Sequence, residues 1–269
     1  MPAMPRHLTE AARRVISVPL PSAKAALTER FAAGWTSREI AEVGDAEMPL
    51  RPARPASPEL LAPKDMPKRR KGNLAGRLAF LHAIAHIELN AIDLAWDIVG
   101  RFASENPPDA FYDDWVAVAA DEARHFAALD ARMAELGGGY GNLPAHDGLW
   151  QAAESTMDDL MARLALVPMV LEARGLDTTP AAVARLEAAG DGESAALLAR
   201  IGAEEVPHLA AGTRWFKHLA ARRGVDPVTT FHELVSSRFH GHIKPPFNHA
   251  ARARAGMDRA FYEPLAKAA

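Results

Sequence analysis

The chain contains no cysteine. Disulfide scaffolds, cysteine nucleophiles, thiolate-bound iron–sulfur clusters and Cys-rich zinc sites are thereby excluded. Tyrosine is scarce, with only Tyr112, Tyr140 and Tyr262. Neither sign of charge dominates. The 31 Lys and Arg face 34 Asp and Glu, a net charge of -3, so there is no strong nucleic-acid signature. No run approaches the roughly 18 uninterrupted apolar residues of a membrane span. The opening MPAMPRHLTEAARRVI lacks an apolar stretch of roughly 7–15 residues before a small-residue cleavage site, so no secretory leader is read there. A cytoplasmic chain with no membrane partner is the expectation. Strand signals are also missing. No series of period-two alternation bounded by turns occurs, β-branched residues are few and Ala is abundant.

What is present is helix. With 269 residues, 49% of them apolar, the chain can bury a sizeable core. Residues 7–43 read as helical, with Leu27, Phe31, Trp35 and Ile40 buried. Residues 45–72 carry Pro49, Pro52, Pro55, Pro58, Pro63 and Pro67, which read as an extended strap over the surface. The strap ends in Lys64, Lys68, Arg69, Arg70 and Lys71, read as a solvated loop. From Asn73 four long helices are expected: 73–103, 109–136, 150–174 and 192–222. Gly137-Gly138-Gly139, Gly175 and Gly224 are their stops. A short helix at 180–189 and another at 226–239 complete the pattern, the latter with Asp226 as N-cap and Pro227 at its first position. The tail is irregular and then partly helical. The predicted fold is all-α, a four-helix bundle at 73–224. Residues 1–72 and 225–269 pack on it as accessories, making one compact unit.

Those four helices carry a repeated set of metal-ligand types. Helix two contains Glu122-Ala-Arg-His125 and helix four contains Glu205-Val-Pro-His208. Residues three apart lie on one helix face, so a carboxylate and an imidazole can reach one ion. Helix one supplies Glu88 and helix three Glu172. The separation from Glu88 to Glu122 is 34 residues and from Glu172 to Glu205 it is 33. Each acid falls on an apolar stripe: Leu78, Leu81 and Ala85 precede Glu88, and Trp115 and Val118 precede Glu122. Leu164 and Pro168 precede Glu172, and Leu198 and Ile201 precede Glu205. Four buried carboxylates need compensation, and two bridged cations would supply it. The competing arrangement is internal salt bridges to Arg124, Arg174 and Arg200. His82 and His86 read as hydrogen-bonding neighbours rather than ligands, and Asp93 and Asp97 as structural partners. Glu204 competes with Glu205 for His208, and the stripe through Ile201 favours Glu205.

The segments LHAIAHIELNAIDLAWD, DEARHF, EARGLD, EEVPHL and KPPFNHAARARAGM resemble a bacterial ferritin-like family still catalogued as a domain of unknown function. The resemblance covers nearly the whole chain and implies a ferritin-like fold with a di-iron centre. More distantly, the ligand pattern is similar to di-iron tRNA hydroxylases, quinone hydroxylases and bacterioferritins. By that resemblance Glu88, Glu122, His125, Glu172, Glu205 and His208 are the ligands of two iron ions, or of manganese. Glu122 and Glu205 bridge, and Glu88 and Glu172 are terminal. Pro207 departs from the common ferritin pattern and is expected to open the helix beside His208. The leading expectation is an oxygen-activating oxidoreductase, hydroxylase-like, with an external electron donor. Its substrate would be a small molecule or a modified base. The alternatives are a ferroxidase or peroxide-consuming protein, and a non-catalytic ferritin-like binding module. Lys244, Asn248 and Arg252 are read either as a structural wrap or as the mouth of a substrate pocket.

Overall fold

A computed structural model describes residues 3–67 and 73–266. It is all-α, as the composition requires, and divides into two compact units, 1–150 and 151–269. Lys68, Arg69, Arg70 and Lys71 of the basic cluster lie outside the described residues.

Unit 1 is built around one helix. Helices α1 (Leu8–Ile16) and α2 (Pro21–Thr36) replace the single helical stretch read at 7–43. Pro19 lies in the break between them and Pro21 opens α2, where a missing N–H costs nothing. Phe31, Trp35 and Ile40 are buried as expected, whereas Leu27 is only half-buried. Helix α3 (Leu74–Arg101) begins at Asn73, whose side chain accepts from Gly76 N at 2.9 Å. Every residue from Glu88 to Gly100 is buried, because α1, α2, α4 (Asp109–Glu135) and the strap surround it. This is the one described helix long and apolar enough to cross a membrane, and 67% of its most apolar window is buried inside the protein. A helix apolar on most sides belongs in a core. Consecutive helices α3 and α4, joined by a short loop, pack along each other. Helix α4 ends at Gly137, whose φ of 80° is the left-handed conformation that only Gly adopts freely.

The proline-rich segment is the extended strap that the sequence predicts. Its backbone binds at three places: Ala53 N to Ile16 O, Leu61 N to Ala145 O, and Arg101 Nη2 to Pro49 O at 2.7 Å. Met48 lies against Gly100, where any side chain on α3 would collide with it.

The third helix differs most from expectation. Helix α5 (Gly148–Glu154) is separate, and α6 (Leu160–Leu166) starts unit 2's core. A π-helical segment, Val167–Glu172, follows, and α7 (Ala173–Ala188) then runs straight through Gly175 and Pro180. The stop at Gly175 and the separate helix at 180–189 are thus corrected. Pro180 cannot donate to the carbonyl of Leu176, but that oxygen accepts instead from Asn248 Nδ2 at 3.3 Å. The helix survives its proline because another segment supplies the donor.

Helix α8 (Gly192–Arg223) packs along α7 and the π-helical segment and ends at Gly224 with φ 65°. Helix α9 (Pro227–Arg238) has the expected cap: Asp226 accepts from Thr229 N at 2.8 Å. Short helices α10 (His249–Arg254) and α11 (Arg259–Tyr262) close the tail.

Candidate metal centre

In unit 1, α3 and α4 bring three of the predicted ligands together. His125 Nδ1 lies 3.3 Å from Glu88 Oε2 and 3.6 Å from Glu122 Oε2. One donor atom from each of the three lies within 4.8 Å of the others. Ligands held about 2.1 Å from one ion stand about 3–3.5 Å apart, so the atoms need little movement to share a metal. The side chains are buried, with Glu88 5%, Glu122 1% and His125 2% exposed. Two carboxylates this close in a dry interior repel one another unless a cation or a proton lies between them. The Glu-x-x-His spacing works as predicted, since one turn of α4 places Glu122 and His125 on the same inward face.

Unit 2 repeats the geometry on α8. Glu205 Oε2 lies 3.2 Å from His208 Nδ1, and His208 is 1% exposed. Pro207 does not separate them, since α8 is continuous through it. Its missing N–H frees the carbonyl of Ala203, which belongs to a solvent-exposed residue. Glu172 is half-buried and forms the last residue of the π-helical segment. Such single-turn π segments insert a residue into a helix and recur at functional sites. Of the competing arginines, Arg124 pairs with Asp121, and Arg174 donates to the tail carbonyls of Lys244 and Pro246 at 2.9 and 3.2 Å.

A polar layer that the sequence did not connect lies about half a turn from Glu88 on α3, at His86. His86 Nδ1 is 2.8 Å from the Tyr140 hydroxyl and its Nε2 is 3.1 Å from His146 O. The carbonyl can only accept, so a proton on Nε2 serves it and leaves Nδ1 to accept from the tyrosine, while Asn90 Nδ2, 3.1 Å from Nε2, donates to His86 O at 2.7 Å. Burial pushes the His86 pKa down to about 4, which keeps the ring neutral. Tyr140 also stacks on His82, with centroids 5.2 Å apart, and His82 Nε2 accepts from Gly141 N at 3.0 Å. Both histidines therefore take the hydrogen-bonding role read for them. No proposed ligand lies near Tyr140 along the chain. The loop after α4 folds it back, and no local pattern signals that.

A family model matches residues 17–263, spanning both Glu-x-x-His motifs and the KPPFN tail. The chain belongs to the family described as "Protein of unknown function (DUF455)". It is similar to an uncharacterized protein of Haemophilus influenzae (strain ATCC 51907 / DSM 11121 / KW20 / Rd), 40% identical over 210 residues. That alignment covers 76% of this chain and 73% of the relative. No solved structure matches. For this DUF455 chain the buried Glu88, Glu122 and His125 cluster can hold a metal ion, and the chemistry has to be argued from those side chains.

Proposed function

We propose that this protein is a non-haem di-iron carboxylate protein that activates dioxygen to oxidise or hydroxylate an organic substrate. The observation that carries the reading is the buried triad of Glu88, Glu122 and His125, an all-oxygen-and-nitrogen donor set in a dry core. Such a set suits iron or manganese better than soft-ligand metals. We further propose that Glu172, Glu205 and His208 supply a second set of ligands, because they repeat the same residue types at nearly the same separation.

In this reading, Glu88, Glu122 and His125 hold one ion, and Glu172, Glu205 and His208 contribute a matching set. The metal supplies reduction of dioxygen, with electrons from an external donor. The protein's own part is positional. The helices fix the ligands on inward faces, and apolar neighbours such as Trp115 and Leu81 keep bulk water out. The cytoplasm is its proposed compartment.

The test is elemental analysis of the purified protein, paired with oxygen uptake under a reductant. Iron or manganese should be present, and Glu122→Ala should release most of it while the helical circular dichroism is kept. Oxygen uptake should continue in the presence of substrate and reductant. Unchanged metal content in Glu122→Ala overturns the ligand assignment. Uptake that stops once added ferrous iron is consumed overturns the oxygenase in favour of a ferroxidase.

A further inference from the structure

Unit 2 has a pocket of about 390 Å³, part of it open to solvent, beneath the KPPFN segment. One wall is Met169, Val170 and Leu171, the π-helical residues that immediately precede Glu172. The opposite wall is the tail, through Phe239, Ile243 and Phe247. Both walls are largely apolar, and the charged groups around them are Arg174, Lys244, Arg252 and Asp177. Arg252 and Asp177 cancel one another as a buried two-point pair, at 3.0 and 2.6 Å. Lys244 and Arg174 are left. Neither has a carboxylate partner among the described residues, and Nε and Nη2 of Arg174 make no hydrogen bond there. His242 adds an imidazole at the rim.

We infer that this pocket binds a small organic carboxylate as the protein's substrate, its charge met by Lys244 and Arg174 and its apolar body held by Val170, Ile243 and Phe247. The inference rests on the proposed oxidoreductase reading only for the word substrate; the binding site stands on the pocket itself. Two cations on apolar walls select an amphipathic anion. A simple inorganic anion leaves the apolar walls unfilled, and a neutral analogue leaves the charges unmatched. The shared wall gives the site its relevance, since a ligand seated against Met169–Leu171 lies beside the segment that positions Glu172.

The experiment is isothermal titration of the full chain with hexanoate, hexan-1-ol and inorganic phosphate, with metal content measured on the same preparation. Hexanoate should bind saturably, at least about tenfold tighter than hexan-1-ol, the worth of one charge-assisted contact. Lys244→Ala, at an exposed position, should weaken hexanoate by at least about tenfold, and Lys244→Arg should restore it. Absence of saturable hexanoate binding, or an affinity that Lys244→Ala leaves unchanged, overturns the inference. Phosphate binding as tightly as hexanoate overturns it too, reducing the pocket to a simple anion site. Metal-free protein that still binds hexanoate sinks the di-iron reading and keeps the pocket. Metal-loaded protein that ignores hexanoate does the reverse.

Discussion

A carboxylate inside a helix core has to be met by positive charge, and α3 shows where that charge comes from. Asp93 is fully buried and is held by Lys24 of α2 and Arg54 of the strap. Asp97 is held by Arg101 one turn along, at 2.7 Å. Both acids are structural partners, as the sequence predicts. The Asp97 pair is visible as an i,i+4 spacing, but Lys24 and Arg54 are far away in sequence and nothing local names them. Burial pushes the Lys24 ammonium below the usual lysine range despite Asp93 beside it. Asp93→Ala would leave that buried lysine without its anion, a loss of about 3–5 kcal/mol. Urea denaturation should show it as a lowered midpoint, and a change below about 1 kcal/mol would contradict the pairing. Asn248 is the second residue whose role only the fold reveals. Its Oδ1 caps α10 through Ala251 N at 3.1 Å, while its Nδ2 serves the Leu176 carbonyl that Pro180 cannot reach. With Arg252 buried against Asp177, this favours the structural wrap for these two side chains over a substrate mouth. Asn248→Ala should cost about 1–3 kcal/mol, and Asn248→Asp, which keeps the cap but not the donor, should cost less. Equal losses for the two variants would mean that the cap contributes nothing, and an Asn248→Asp variant as stable as the wild type would mean that the Leu176 contact contributes nothing.

At the scale of elements, helices with unbroken periodicity and ordinary caps were legible. The bounds of α3, α4, α8 and α9 fall within a few residues of those expected, because Asn73, Gly137, Gly224 and Asp226 act locally. The third helix was not legible, because its punctuation is overruled from outside. Gly175 reads as a stop and Pro180 as the start of a separate helix, yet Leu176, Asp177, Ala182 and Leu186 of α7 are buried, and that packing outweighs the breakers. The π-helical segment has no sequence signature beyond Pro168, which removes the donor to Leu164 O. Its packing explains how it is held. A Cβ on Gly212 of α8 would lie 2.5 Å from Pro168 Cβ, closer than real atoms approach. Gly212→Ala should therefore push the π-helical segment off α8. The expected cost is about 1–3 kcal/mol of overpacking, with a fall in metal content because Glu172 ends that segment. Thermal melting and elemental analysis separate the two effects. Full metal content in a destabilised Gly212→Ala would show that Glu172 does not depend on this contact.

For the whole molecule, the division into two units coincides with the repetition of ligand residue types, one Glu and one Glu-x-x-His in each. The repetition was readable because i and i+3 spacing survives in any helix, whatever the helix packs against. What surrounds each set was not readable, since the strap, the His82–Tyr140 stack and the tail all reach their places by long-range folding. The dinuclear proposal makes each unit responsible for half of the metal. His125→Ala removes the nitrogen donor of unit 1 and His208→Ala that of unit 2, so each should lower the content from about two ions per chain to about one. On that proposal metal binds the folded chain and not the unfolded one, so chelation of the wild type should lower the melting temperature. Each single variant, already lacking part of its metal, should respond less to the chelator. If His125→Ala loses metal while His208→Ala keeps the full wild-type content, the ion belongs to Glu88, Glu122 and His125 alone. The repeat in unit 2 would then be a structural Glu–His pair, and the two-ion proposal would fall while the buried cluster of unit 1 stood.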